Sequence, residues 1–245
     1  MLTLCLACLS LISASAQKKS KETFYAWDKE WNQLPSLDNA TYFAIMKRLD
    51  DTLWQWDVYN NKGPMIASQQ MNNPETKTIA GWQMYYDSKG LLDSMGTIVN
   101  GRMDGDWSYL DDSVKFVTRK KFSKGILLSV KDLRNKDSAD QKPSYPDEKE
   151  SSFPGGLAKW HGYINKNLKY PERAYKEKIT GTVVVAFQVD STGSVQDTQL
   201  FQSVEYSIDQ ETIRLLKASP KWNPGFQNGK HIRTFKRQPL DFRLQ

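Results

Sequence analysis

Between residues 40 and 130 apolar and polar positions alternate with a period of two, the signature of half-buried β-strands. Tyr42, Ala44 and Met46 alternate with Phe43, Ile45 and Lys47, and Asp50-Asp51 supplies a turn. Trp54, Trp56 and Val58 share one face of the next strand, which ends at the hairpin signal Asn60-Asn61-Lys62-Gly63. Beyond residue 152 the pattern changes. Phe153-Pro154-Gly155-Gly156 leads into Leu157, Trp160, Ile164 and Leu168 at helical spacing, and Pro171 opens a short helix through Ala174. Val183, Val185, Phe187 and Val189 then line one face of a strand over 182–189. Asp190-Ser191-Thr192-Gly193 turns the chain into a partner strand over 195–203. Ser207 and Gln210 form a capping box for a helix with Ile208, Thr212 and Leu216 on one face, ended by Ser219-Pro220. The last strand lies in the tail.

The N-terminal strands carry an internal repeat. Trp56 to Tyr59, Trp82 to Tyr85, and Trp107 with Tyr109 recur about every 25 residues, with Asn100-Gly101 at a turn. A hairpin with one aromatic face cannot bury it alone, so neighbours must stack. The G-x-W-x-Y…G…N-G…G-x-W-x-Y pattern resembles MORN-type tandem β-hairpins. Residues 132–152, with Asp137-Ser138-Ala139-Asp140 and Asp147-Glu148-Lys149-Glu150, read as a polar linker.

Residues 1–16 are uncharged. Leu2, Leu4, Leu6, Leu11 and Ile12 form a short apolar stretch, and Ala14-Ser15-Ala16 is an A-x-A cleavage site before Gln17. The stretch is too short for a stable membrane anchor and reads as a cleaved signal peptide. It lacks a basic n-region, which leaves open a true start upstream, an uncleaved anchor, or acylation at Cys8. Cys5 and Cys8 are the only cysteines, so a processed chain has no disulfide, thiolate metal site or cysteine nucleophile. The expected organisation is a signal peptide (1–16), an N-terminal segment (17–39), a hairpin-repeat domain (40–131), the linker (132–152) and an α/β domain (153–245), with the two domains folding independently.

Composition narrows function. Hydrophobic residues make up 39% and charged residues 25% of the 245, which suits a packed core. The net charge of +6 is spread without a basic run, which argues against nucleic acid. His161 and His231 lack metal-ligand spacing, and no G-x-S-x-G, P-loop or H-E-x-x-H motif occurs. No enzyme, metal or cofactor is expected. Asp50-Asp51 and Asp111-Asp112 read as turn residues, and Trp222 as a packing anchor.

Tyr170-Pro171…Gly181…Val183-x-Val185-x-Phe187-x-Val189…Gly193-x-Val195…Ser203…Ile208-Asp209-x-Glu211…Pro220-x-Trp222-x-Pro224…Gly229…Pro239-x-x-Phe242 resembles the TonB C-terminal domain family over about ninety residues. Thr198 and Gly225 are minor departures. The resemblance implies an α+β chain whose C-terminal part is a two-layer domain, with helices backing a three-stranded antiparallel sheet. It also implies a periplasmic or cell-envelope protein related to TonB-dependent transport, with a partner that adds an extended segment beside the last strand. That strand is expected at about 232–238, with Ile232, Arg233, Thr234, Phe235, Lys236 and Arg237 as the binding edge. The expected partner is an envelope or outer-membrane protein, and a second copy of the chain is the other candidate. An energy transducer needs a retained anchor and a long Pro-rich span, whereas this linker reaches at most roughly 70 Å. Two alternatives stand beside the binding module: a true transducer with an upstream anchor, and a glycan- or surface-binding scaffold built on the aromatic repeats. Intact mass of the exported protein should begin at Gln17, and a membrane-bound species that retains Met1 contradicts cleavage.

Overall fold

The computed structural model describes residues 22–73, 78–113, 115–134 and 147–244. The signal-peptide stretch, both cysteines and most of the polar linker lie outside the described residues. The N-terminal part is a ten-stranded antiparallel sheet in the order β10-β9-β8-β7-β6-β5-β4-β3-β1-β2. Its strands are β1 (Glu22–Trp27), β2 (Gln33–Leu34), β3 (Tyr42–Arg48), β4 (Trp54–Asn60), β5 (Met65–Asn73), β6 (Thr78–Tyr86), β7 (Leu92–Val99), β8 (Arg102–Leu110), β9 (Phe116–Ser123) and β10 (Ile126–Asp132). From β3 to β10 each strand pairs with the next, as a hairpin meander does. The sheet begins before residue 40, because β1 inserts between β3 and β2.

The equal spacing of the tryptophans does not put them on one face. Trp56 is opposite Gln69, which is opposite Gln83, so Trp82 points the other way. Trp107 shares its side with Tyr109, while neighbouring Ser108 is opposite Met95 and shares Trp82's side. Bulges shift the register within β5–β6 and β7–β8, and a one-residue slip reverses every later side chain. Trp107 is buried, donates Nε1–H to the Thr97 carbonyl at 3.0 Å and lies against Gly96, where a Cβ would come within 2.4 Å of the indole. Glycine is required there for the ring to lie flat on the strand.

The C-terminal part holds α1 (Gly156–Asn167), α2 (Glu172–Lys176), β11 (Gly181–Val189), β12 (Val195–Gln202), α3 (Tyr206–Lys217), β13 (Gly225–Gln227), β14 (Lys230–Ile232) and β15 (Thr234–Phe242). β12, β11 and β15 form a three-stranded antiparallel sheet, and β13 and β14 a separate hairpin. Asp190 closes the β11–β12 turn, its Oδ1 accepting from the N–H groups of Thr192 and Ser194 at 2.8 and 3.0 Å. The cap of α3 is not the expected Ser207–Gln210 box. Glu205 is the N-cap, and its carboxylate accepts from Ser207 N–H at 2.8 Å and Ile208 N–H at 3.4 Å.

The two parts share one core, unlike the expected pair of independent domains. Phe43, Ile45, Tyr59 and Met65 of the meander pack with Val183, Val185, Phe187, Ile208 and Leu215. A second cluster joins Met84, Leu92 and Leu110 to Phe201, with Val184 and Ala186 packed against it. The C-terminal sheet therefore has helices on one face and the meander on the other. The β6–β7 turn fits against it because Gly90 adopts φ 81° and a Cβ there would meet the Ser203 carbonyl at 2.3 Å. One cooperative unfolding transition is expected. Trp107→Ala in the meander and Leu215→Ala in α3 should each lower its midpoint, at a cost of about 3–5 and 2–5 kcal/mol. Two transitions, each moved by only one of the substitutions, contradict the shared core.

Candidate functional site: the open edge of the C-terminal sheet

β15 pairs with β11 from Thr234↔Val189 to Phe242↔Gly181, and among the described residues β11 is its one neighbour in the sheet. The strand is longer than expected and starts later. Ile232 belongs to the β13–β14 hairpin and Arg233 to the link, while Thr234, Phe235, Lys236 and Arg237 open β15. Thr234, Lys236, Gln238, Leu240 and Phe242 face the helical side, with Leu240 and Phe242 buried. Phe235, Arg237, Pro239 and Asp241 face the meander side and are exposed.

The same alternation decides which backbone groups point outward. Pro239 has no N–H and is tolerated within a sheet only where its nitrogen faces away from the ladder. The Asp190 N–H bonds to the Ser194 carbonyl at 3.0 Å, so β11 turns its even positions to β12 and its odd ones to β15. Both observations put Thr234, Lys236 and Gln238 in the ladder with β11 and aim the backbone of Phe235 and Pro239 outward. Of the expected edge residues, Thr234 and Lys236 therefore spend their backbone groups on β11, and Phe235 presents its own outward.

Segment 147–152 runs beside this edge without pairing with β15. Lys149 bridges Phe226 and Ser152 bridges Asn223. Thr234 Oγ1 donates to Ser151 Oγ at 2.6 Å, and Lys236 Nζ is 3.1 Å from Glu150. That ion pair is largely exposed and contributes at most about 1 kcal/mol. Charge around the edge is mixed, with Glu150 against Lys236 and Asp241 on β15 itself. Residues 212–240 contain Arg214, Lys217, Lys221, Lys230, Arg233, Lys236 and Arg237 and no Asp or Glu.

Met95, Phe116, Phe201 and Phe235 line a cleft beside the edge, between the meander and the C-terminal sheet. The Arg237 guanidinium lies 4.2 Å from the Phe201 ring centroid and 5.5 Å from that of Phe116, and this burial lowers its pKa. Sequence reading did not find Met95, Phe116 or Phe201. Phe201 follows buried Leu200 and so points to the opposite face, a signal that needs a known partner for that face.

Other candidates find structural roles. Asp50 accepts from Thr52, and Asp111 from Ser113 and Lys115, as turn residues do. Trp222 packs edge-on against Phe187 and Phe153 at 5.2 and 5.6 Å. His161 and His231 are exposed, and His231 stacks edge-on against Phe226. Among the described residues no cluster of His, Cys, Asp or Glu has the geometry to hold a metal.

Polar contacts tie the edge-bearing sheet to the meander. The Met65 N–H donates to Ser203 Oγ at 2.8 Å, and Ser203 O–H donates to the Asp209 carboxylate at 2.5 Å. Tyr86 O–H donates to the Leu200 carbonyl at 2.9 Å. Arg173 donates to Asn61 Oδ1 at 2.8 Å and lies 3.3 Å from Glu205. Burial pushes the Asp209 carboxyl up to about 7, and nearby Glu205 adds to the rise, against hydrogen bonds from Ser203 and Val204 that lower it. The unfolded chain titrates this group near its ordinary 3.8, so between these values the folded state holds the extra proton. This group's contribution to stability is therefore greatest below pH 4 and falls as pH rises to about 7. Asp209→Asn should flatten that slope in denaturant titrations at pH 5 and pH 8. An unchanged slope contradicts the assignment.

Comparison with known sequences places the edge in a family context. No curated protein and no solved structure matches the chain. Residues 166–244 match the family described as Gram-negative bacterial TonB protein C-terminal, a segment that runs from the end of α1 through the whole of β15.

Proposed function

We propose that this chain is an exported cell-envelope protein, related to TonB-dependent transport, that grips an extended segment of an envelope or outer-membrane partner by strand addition to β15. The observation that carries the reading is the position of β15. It is an edge strand whose outward backbone at Phe235 can bond an incoming chain. The match over residues 166–244 supports the envelope setting.

In this reading the protein is a binding module and not an enzyme. A cleaved signal peptide delivers it to the periplasm, and the MORN-like meander is a packing platform for the C-terminal sheet. Homodimerisation through the same edge competes with the partner.

Phe235→Pro removes the outward N–H, whereas Phe235→Ala removes only the ring. In pull-downs from envelope extract, a protein retained by the wild type should be retained by Phe235→Ala at reduced yield and lost with Phe235→Pro. Equal retention by all three, with the proline variant shown to be folded by circular dichroism, contradicts strand addition.

A further inference from the structure

A second cleft, of about 420 Å³, lies against β12 at the far edge of the C-terminal sheet from β15. One wall is the meander face that carries Lys47, Gln55, Gln70 and Trp82. Lys47 is opposite Gln55 and Gln55 is opposite Gln70, while the Trp82 backbone N–H donates to Gln70 Oε1 at 2.8 Å. Buried Asp57 lies on the same face and is held in place. It accepts from Gln55 Nε2 and Ser68 Oγ, each at 2.7 Å, and is 3.6 Å from Lys47, which also reaches Glu22 at 3.8 Å. The other wall comes from β12 and α3, with Thr198, Gln199, Gln210 and Ile213. A bulge shifts the β11–β12 register beside this wall, where Asp197 adopts φ 48°.

We propose that this cleft binds a neutral saccharide. The lining charges balance, with Lys47 and Lys217 against Asp57 and Asp197, so the cleft does not select an ion. What it offers is amides. Among the described residues the side chains of Gln188, Gln199 and Gln210 have no hydrogen-bond partner, and the buried Trp82 Nε1–H has no acceptor. A side-chain amide both donates and accepts, as a sugar hydroxyl does, so neighbouring glutamines match a row of hydroxyls. Trp82 and Ile213 add apolar surface for the C–H face of a sugar ring, and the volume is within the range of small-ligand sites. A peptide strand fits this edge poorly. Leu91 already bridges Gln202 at one end, and the bulge interrupts the ladder at the other, which leaves only a short run of free edge between them. β12 and β15 lie on opposite sides of β11, so the site is independent of the strand-accepting edge.

The test is titration of the isotope-labelled chain from Gln17 onward with glucose, galactose, mannose, N-acetylglucosamine, maltose and chitobiose. Each is taken to about 10 mM, where a site with a Kd of about 1 mM is nearly filled. The readout is the nuclear magnetic resonance signal of the Trp82 indole N–H, identified by its loss in Trp82→Phe. At least one of the six should shift that signal saturably. Gln199→Ala and Gln210→Ala should each weaken the same saccharide about tenfold, as loss of a hydrogen bond does. Alanine suits a helix, so Gln210→Ala keeps the fold. Where circular dichroism shows Gln199→Ala to be unfolded, Gln199→Val replaces it with the same expectation. Glucuronate and glucosamine should bind no more tightly than glucose, and Phe235→Pro should leave saccharide binding unchanged. No shift with any of the six overturns the proposal, as does a shift that both glutamine substitutions leave intact. Tighter binding of glucuronate or glucosamine than of every neutral sugar would mean an ion site and overturns it too.

Discussion

The architecture depends on β11 having two apolar faces. Val183, Val185, Phe187 and Val189 are fully buried against the helices, while Val184 and Ala186 lie on the opposite face with Phe201. A half-buried antiparallel strand would alternate apolar and polar residues; this one reads Val183-Val184-Val185-Ala186-Phe187 without a break. Helices cover one side only, so the sheet needs a second layer, and the meander provides it. That requirement brings the β6–β7 turn against Ser203, where Ser203 N–H bonds the Gly90 carbonyl at 2.8 Å and Leu91 bridges Gln202. The same packing leaves the cleft beside β15, with Met95 and Phe116 on its meander side.

Apolar packing is non-directional, and the polar contacts at the junction fix its register. Ser203 relays between the Met65 backbone and the buried Asp209 carboxyl, and Glu205 combines helix capping with an ion pair to Arg173. Such groups are costly to bury and costly to leave without partners, so they discriminate strongly against neighbouring arrangements. Ser203 and Asp209 lie within the matched residues 166–244, and Ser203 also receives a hydrogen bond from the Met65 backbone of the meander.

Local signals were legible where one element decided them. The 182–189 strand, the Asp190 turn and the helical spacing of Trp160 and Ile164 need only short-range patterns, and Pro239 marks an edge by its missing N–H. Other features depend on distant residues. The face of Trp82 relative to Trp56 follows from the registers of β4–β5 and β5–β6 together. The insertion of β1 beside β3 involves a segment with no repeat signature. Glu205 as a helix cap was missed because glutamate is outside the usual capping set and takes the role here with help from Arg173. The polar stretch at 132–152 suggested separate domains, yet domain independence is decided by packing, and Phe201 or Met95 looks unremarkable until the facing surface is known.

The central claim is that β15 keeps one edge open while its other edge is locked to β11. Residue-resolved amide hydrogen exchange tests this directly. The account predicts alternation along one strand: slow exchange at Thr234, Lys236, Gln238 and Leu240, and fast exchange at Phe235 and Asp241. Uniformly slow exchange from Thr234 to Asp241 in the isolated protein would mean that the edge is already covered, and would contradict the account.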